Sequence, residues 1–344
     1  MEKALKKEQL GAWMADLTDF EVHAPVFEDG VWNYQRVRDP LETKLDHDNT
    51  VSPPKAFIFP QREVLFRFSQ IAGKAPELNA ALPEPKQTVV FGVRPCDGRS
   101  RQRNDKVFGG ARADAYYQAR AAKVAYVGLA CNTPPSENCF CQSLGGSPYS
   151  EEGLDVLLTE LNDVYHVKAV TPHGEALISQ GTSWFADVTR EQRSELETVR
   201  AAGLQEPHRA VSNLATLPLQ LKKNFDSPVW KEMAQACIGC GVCTYLCPTC
   251  HCFDMNDEVK SRSPLQGERV RTWDTCQFPD FTMHASGHNP REDLGSRLRQ
   301  RIAHKFLYFH ENHGTSQCTG CGRCITHCPV GIDILAVMEK VTQP

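Results

Sequence analysis

Hydrophobic positions along this chain fall into two regimes. Up to about residue 220 they come in short β-type runs: Ala56 to Phe59, Val64 to Phe68, Thr88 to Val93, Lys123 to Leu129 and Val164 to Val170. Between these lie stretches that read as helix, Lys3 to Leu17, Ala111 to Ala122 and Arg190 to Ala202. Strands and helices mixed in this order predict an α/β layered domain. The polar stretch from Leu221 to Ser227 ends at Pro228 and marks a boundary, dividing the chain into residues 1–226 and 227–344. Beyond it the pattern turns helical. Val229 to Ala236 is a short helix, and Ser296 to Phe309 repeats Leu298, Ile302, Phe306 and Phe309 at helical spacing. Ile332 to Met338 places Ile334, Val337 and Met338 on one stripe.

The second part carries a duplicated spacing, Cys237-x2-Cys240-x2-Cys243-x3-Cys247-Pro248 and Cys318-x2-Cys321-x2-Cys324-x3-Cys328-Pro329. This is the run that holds [4Fe–4S] clusters in bacterial two-cluster ferredoxins. Three closely spaced thiolates wrap one cubane, and the fourth, set off by a wider gap, serves its neighbour. One cluster would then take Cys237, Cys240, Cys243 and Cys328, the other Cys318, Cys321, Cys324 and Cys247. Zinc motifs set two C-x2-C pairs apart in sequence, so four thiols within eleven residues, twice, fit zinc poorly. Seventy residues separate the motifs. With the helical pattern around them, they predict an α-helical ferredoxin-type domain rather than the small β-hairpin kind.

Four more cysteines lie in the first part. Cys96 and Cys131 each follow an apolar run, where open α/β sheets place their ligands, and Cys139-Phe140-Cys141 follows across Pro134-Pro135. Four converging thiols match a third [4Fe–4S] cluster. Their spacing is not a standard ferredoxin pattern, and zinc or inert buried thiols remain alternatives. Cys250, Cys252 and Cys276 are left over, one short of a four-thiolate site unless His251 completes it; packing beside a cluster is the plainer reading. The basic stretch Arg291, Arg297, Arg299, Arg301 and Lys305 reads as a solvated helix face, a docking patch for an acidic partner, or charge compensation near a cluster.

Composition narrows the setting. Thirty-eight basic and 42 acidic residues give a net charge of −4, with no nucleic-acid or anionic-membrane footprint. Fifteen cysteines, most of them needed as thiolates, point to a reducing compartment. Met1 to Asp16 is charged throughout, unlike a secretory signal, and no apolar run approaches a membrane span, so a soluble cytoplasmic chain is expected. There is no G-x-G-x-x-G fingerprint, no P-loop and no Ser/His/Asp grouping. No flavin or nucleotide is expected here.

Six segments carry a family likeness: Arg94-Pro95-Cys96-Asp97, Glu137-Asn138-Cys139-Phe140-Cys141, Cys247-Pro248-Thr249-Cys250-His251-Cys252, Trp273-Asp274-Thr275-Cys276, Gly287-His288 before Arg291, and Cys318-Thr319-Gly320-Cys321-Gly322-Arg323-Cys324. Together, over about residues 50 to 340, the chain resembles the β subunit of cytoplasmic NiFe hydrogenase/sulfur reductases (sulfhydrogenases) and the corresponding iron–sulfur subunit of anaerobic sulfite reductase. The resemblance implies a non-catalytic iron–sulfur relay. It would pass single electrons between a flavin subunit that handles NAD(P)H and a terminal subunit of NiFe hydrogenase, sulfite reductase or heterodisulfide reductase type. One alternative is a self-sufficient reductase of a sulfur compound, or a flavin-dependent one, with the N-terminal domain as active site. Another is a scaffold whose clusters serve folding alone.

Overall fold

The computed structural model describes residues 1–205, 209–211 and 214–342. Its strands, in chain order, are β1 Glu2–Lys6, β2 Glu21–Glu28, β3 Val31–Arg36, β4 Arg62–Gln70, β5 Glu77–Ala80 and β6 Thr88–Val93. There follow β7 Val124–Leu129, β8 Val156–Glu160, β9 Val164–Ala169, β10 Phe185–Ala186, β11 Phe253–Arg262 and β12 Leu265–Trp273. Eight make one sheet in the order β10-β1-β9-β8-β7-β6-β2-β3, and four make another in the order β11-β12-β4-β5. At the centre of the large sheet β8, β7, β6 and β2 run parallel. Every residue of β6 and β7 is buried, which is why they read as unbroken apolar runs instead of alternating ones.

Alternate side chains of these strands feed two cores. Val89, Phe91, Ala125 and Val127 pack with Leu10, Trp13, Leu177 and Ile178 from helices Leu10–Asp16 and Pro172–Gln180. Val90, Tyr126 and Val124 pack with Phe108 and Tyr117 from helices Pro95–Phe108 and Ala115–Ala121. The N-terminal part is thus the mixed α/β arrangement expected. Two of its elements differ from their sequence patterns. Ala56 to Phe59 is no strand: Pro54–Phe57 forms a 3-10 turn, because Pro53 and Pro54 lack the N–H a ladder needs. Lys3 to Leu17 is helical only after Lys6, through a 3-10 turn at Lys7–Gln9 into helix Leu10–Asp16; β1 instead fills the antiparallel slot between β9 and β10, tertiary pairing overriding local helix propensity.

The helical lobe closes on a third core, where Leu298, Ile302, Phe306, Val337 and Met338 meet Leu217, Leu221 and Trp230. The helix expected over 296–309 spans Leu294–Ala303, passes through a π turn at His304–Tyr308 and ends as Phe309–His313. A purely helical ferredoxin-type domain is not what forms, however. The segment between the cysteine motifs opens with the hairpin β11–β12, and β12 pairs with β4. The small sheet therefore takes two strands from each side of the 226/227 division. The hairpin escapes a hydrophobicity reading because β11 is mostly exposed and its ladder is crossed by charge pairs, Arg269–Asp257 at 2.8 Å and Arg62–Glu258 at 2.8 Å. Among the described residues no helix is long and apolar enough to cross a membrane.

Two buried ion-pair groups tie the parts together. Arg271 of β12 reaches Glu63 of β4 at 2.5 Å and also Asp114, the N-cap of helix Ala115–Ala121. Arg323, inside the second cysteine motif, holds Asp97 through two bonds of 2.6 and 2.7 Å and donates to the Thr50 carbonyl at 2.7 Å. Arg323 is 1% exposed and Asp97 0%. Breaking one side of such a pair strands the other charge in the interior. Asp97→Leu is therefore expected to cost about 3–5 kcal/mol, read as a lower midpoint in anaerobic guanidinium unfolding. The double variant Asp97→Leu/Arg323→Met should lose less than Asp97→Leu alone.

Candidate metal centres

Both cysteine motifs fold by the same local plan. Paired glycines, Gly239/Gly241 and Gly320/Gly322, hold positive φ and curl the loop. Each loop then enters a four-residue helix, Val242–Tyr245 or Arg323–Thr326, and these two helices pack together. Cys237, Cys240, Cys243 and Cys328 line one cavity of about 50 Å³, with Cys324 in its wall and Ile238, Leu298, Ile302 and Ile332 as apolar cover. Cys240 is exposed at its rim and Ile238 is 64% exposed. Cys247 lies instead within electrostatic reach of Cys318, Cys321 and Cys324, and Cys247, Cys318 and Cys321 are buried.

In the α/β part, the adjacent parallel strands β6 and β7 deliver two thiols side by side. Cys96 sits in the first turn of helix Pro95–Phe108, and Cys131 lies just past β7. The loop after Pro134-Pro135 brings Cys139 and Cys141 to them, and all four line a cavity of about 40 Å³. The second motif closes one wall of it. The carbonyl of Gly320, a residue at φ +73°, accepts from the Phe140 N–H at 2.9 Å, and a Cβ there would stand 2.6 Å from the Cys141 Cα. At Gly322, φ +78°, a Cβ would stand 2.5 Å from the Asn138 carbonyl. Asn49 Nδ2 bridges the same seam, to the Cys321 carbonyl at 3.1 Å and Cys139 Sγ at 3.7 Å. Only glycines allow the two thiol groups to approach this closely.

Burial dominates the thiol electrostatics. It pushes Cys139 up to about 11 and Cys141 and Cys324 up to about 12, and it raises Cys96, Cys131, Cys318 and Cys321 as well. Left to themselves these sulfurs stay protonated; coordination to a metal is what turns them into thiolates, releasing protons. The basic stretch between the motifs is not the solvated face that a charge run suggests. Arg297, Arg301 and Lys305, four residues apart on one side of their helix, are buried, while Arg299 pairs outward with Asp226 at 3.1 Å. Lys305 Nζ donates to Cys247 Sγ at 3.2 Å, and Arg301 Nη1 to Cys250 Sγ at 3.5 Å. Burial opposes the Lys305 charge, but Cys247 and Cys250 outweigh it and hold the ammonium protonated.

The remaining thiols gather behind the first motif. The ladder pairs Phe253 with Trp273, and the Asp274 N–H bonds the Cys252 carbonyl at 3.0 Å, so the base of the hairpin sets Cys252 beside Cys276. Cys250 adjoins Cys247. His251 turns elsewhere, its ring against Phe108 and His304 and its Nδ1 3.2 Å from Gln317 Nε2. Among the described residues no three His, Cys, Asp or Glu side chains converge tightly enough for a single ion. A zinc centre, with four bonds of about 2.0–2.3 Å, needs that convergence; a cubane holds each thiolate on a separate iron and spreads them. Donor chemistry, apolar cover and uncompensated buried cations all fit iron–sulfur clusters.

Comparison with known proteins gives the same direction. Residues 236–332 match the 4Fe-4S dicluster domain family. The chain is 33% identical over 326 residues to sulfhydrogenase 2 subunit beta of Pyrococcus furiosus, covering 94% of this chain and 92% of that protein. No solved structure matches it. With [4Fe–4S] clusters as its cofactors, the chain is an electron-transfer component of an oxidoreductase, and it belongs to the sulfhydrogenase β-subunit family.

Proposed function

We propose that this chain is the wire of a cytoplasmic oxidoreductase complex, carrying single electrons between a flavin subunit that handles NAD(P)H and a terminal catalytic subunit. Kinship with a sulfhydrogenase subunit favours a hydrogenase or sulfur-reducing terminus. The observation that carries this reading is the order of three thiol groups. Cys237, Cys240, Cys243 and Cys328 reach the surface at Cys240; Cys318, Cys321, Cys324 and Cys247 form the largely buried middle; Cys96, Cys131, Cys139 and Cys141 reach it again at exposed Pro134. A buried middle with two open ends is what a relay between two partners requires. Each group would hold one [4Fe–4S] cluster, which supplies one-electron redox chemistry when bound. The chain supplies insulation through apolar cover, and spacing through the Gly320 seam. It also supplies potential tuning, because hydrogen bonds and positive charge at a ligand sulfur favour the reduced cluster. Flavin and nucleotide are left to the partner subunit.

Three measurements test the wire. In anaerobically purified protein, Cys247→Ala should remove the electron paramagnetic resonance signal of the cluster on the second motif, and Cys328→Ala that of the first. The opposite assignment would overturn the interleaving. Cys131→Ala should lower bound iron by about four per chain while the other two signals persist; unchanged iron would leave the N-terminal thiols as structural groups. Lys305→Met should make the middle cluster harder to reduce. The expected shift is about 60 mV negative, the one-electron equivalent of a charged hydrogen bond worth about 1.5 kcal/mol.

A further inference from the structure

Of the three cations that the helical lobe turns inward, two have clear acceptors. Arg297 Nη1 donates to the carbonyls of Arg291 and Glu292 at 3.1 and 2.9 Å. Lys305 Nζ donates to Cys247 Sγ and Thr249 Oγ1, both at 3.2 Å. Arg301 is left short. It is 5% exposed, no carboxylate pairs with it among the described residues, and its Nη2 is buried without a hydrogen-bond partner. Its Nη1 reaches Cys250 Sγ at 3.5 Å, but a thiol is a weak acceptor and cancels no charge. A guanidinium does not shed its proton to escape the interior, so the cost of burying it stands until an anion meets it.

The place of Arg301 says which anion. It stands in the wall of the cavity framed by Cys237, Cys240, Cys243 and Cys328, beside Leu298 and Ile302 of its own helix. It is the only charged side chain in that wall among the described residues. Gln277, the polar residue next to it, already donates to Cys276 Sγ at 3.4 Å and to the Arg297 carbonyl at 3.2 Å. The other donors to sulfurs of this group are backbone N–H groups, Gly239 to Cys237 at 3.4 Å and Ile332 to Cys328 at 3.1 Å, which carry no charge. Cys324, a ligand of the middle group, shares the wall. Burial opposes the Arg301 charge, yet Cys243 from one group and Cys324 and Cys247 from the other act in its favour, together with Cys250. One cation therefore serves two thiol groups.

We infer, on the relay reading, that Arg301 is a counter-charge shared by the first-motif and middle clusters and that it lets both be reduced together. Each reduction adds one electron and changes no bond, so each adds one negative charge. An electron on one cubane then opposes a second on its neighbour. A fixed cation beside both weakens that opposition and favours the reduced state of each. NAD(P)H gives up its electrons as a hydride, in pairs. A relay that holds two electrons at a time can empty a reduced flavin without waiting for the terminal subunit.

The test is a potentiometric titration of the full chain, purified without oxygen, reduced by dithionite and followed by electron paramagnetic resonance. Arg301→Gln stays polar but removes the charge. It should lower the equilibrium constant for reducing the first-motif cluster about tenfold, a one-electron shift of about 60 mV negative, with bound iron unchanged. The signal broadened by coupling between two reduced neighbours should then appear only at lower potential than in wild type. Arg301→Lys, which keeps the charge, should recover most of the shift. Wild-type potentials in Arg301→Gln with full iron would overturn the inference. So would an equal shift in Arg301→Lys, or loss of first-motif iron from both variants, since either makes Arg301 a packing group. A wild-type chain whose motif clusters are missing or accept no electrons would strike the relay reading instead, which separates the two failures.

Discussion

The buried pair between Arg323 and Asp97 is the constraint from which the rest of the assembly follows. Arg323 lies between two cysteines of the second motif, and Asp97 follows Cys96 at the head of the helix after β6. A bidentate guanidinium–carboxylate contact fixes distance and orientation together. Here it holds a ferredoxin-type loop against the carboxyl edge of a parallel sheet. Once that register is set, Gly320 and Gly322 can meet the Phe140 and Asn138 backbone, and Asn49 can reach both thiol groups. The pair is a weak source of net stability, because desolvation offsets most of its attraction. Its value is geometric.

Charge is the second constraint. A dozen or more sulfurs in a low-dielectric interior are tolerable as thiols or as cluster ligands, and hard to keep as free thiolates. The same interior holds Lys55, Arg301 and Lys305 without carboxylate partners among the described residues. Each set makes sense only with the other and with iron between them. Metal binding and the final packing of this region are then one process, as in other small metal-built folds. The small sheet completes the enclosure, since β12 carries Arg271 into Glu63 and Asp114 and its hairpin foot positions Cys252 and Cys276.

Much of this was legible in the chain itself. The duplicated cysteine spacing announces cubane ligation, because the ligands of each loop are consecutive and need no distant partner to be recognised. The unbroken apolar runs of β6 and β7 announce central parallel strands, since burial on both faces removes polar positions. The helical stripe of Leu298, Ile302 and Phe306 announces the core of the lobe. Even the inward cations left a trace: Arg297, Arg301 and Lys305 repeat every four residues, a spacing that places them on one helix side.

What the sequence by itself determined, then, was local: which segments bury an apolar face and which loops can wrap a cluster. Only the tertiary structure decided the long-range facts. β1 became a strand because an antiparallel slot stood open between β9 and β10, and Ala56 to Phe59 did not because two prolines denied it a ladder. The hairpin β11–β12 is mostly polar and gains its place from pairing with a strand about two hundred residues away. Whether a lysine at position 55 is a surface charge or a buried donor to the Cys250 carbonyl depends on what folds over it. Periodicity encodes which face of an element is apolar. It carries no record of which distant group will meet that face, and that meeting is where these thiols and cations acquire their chemistry.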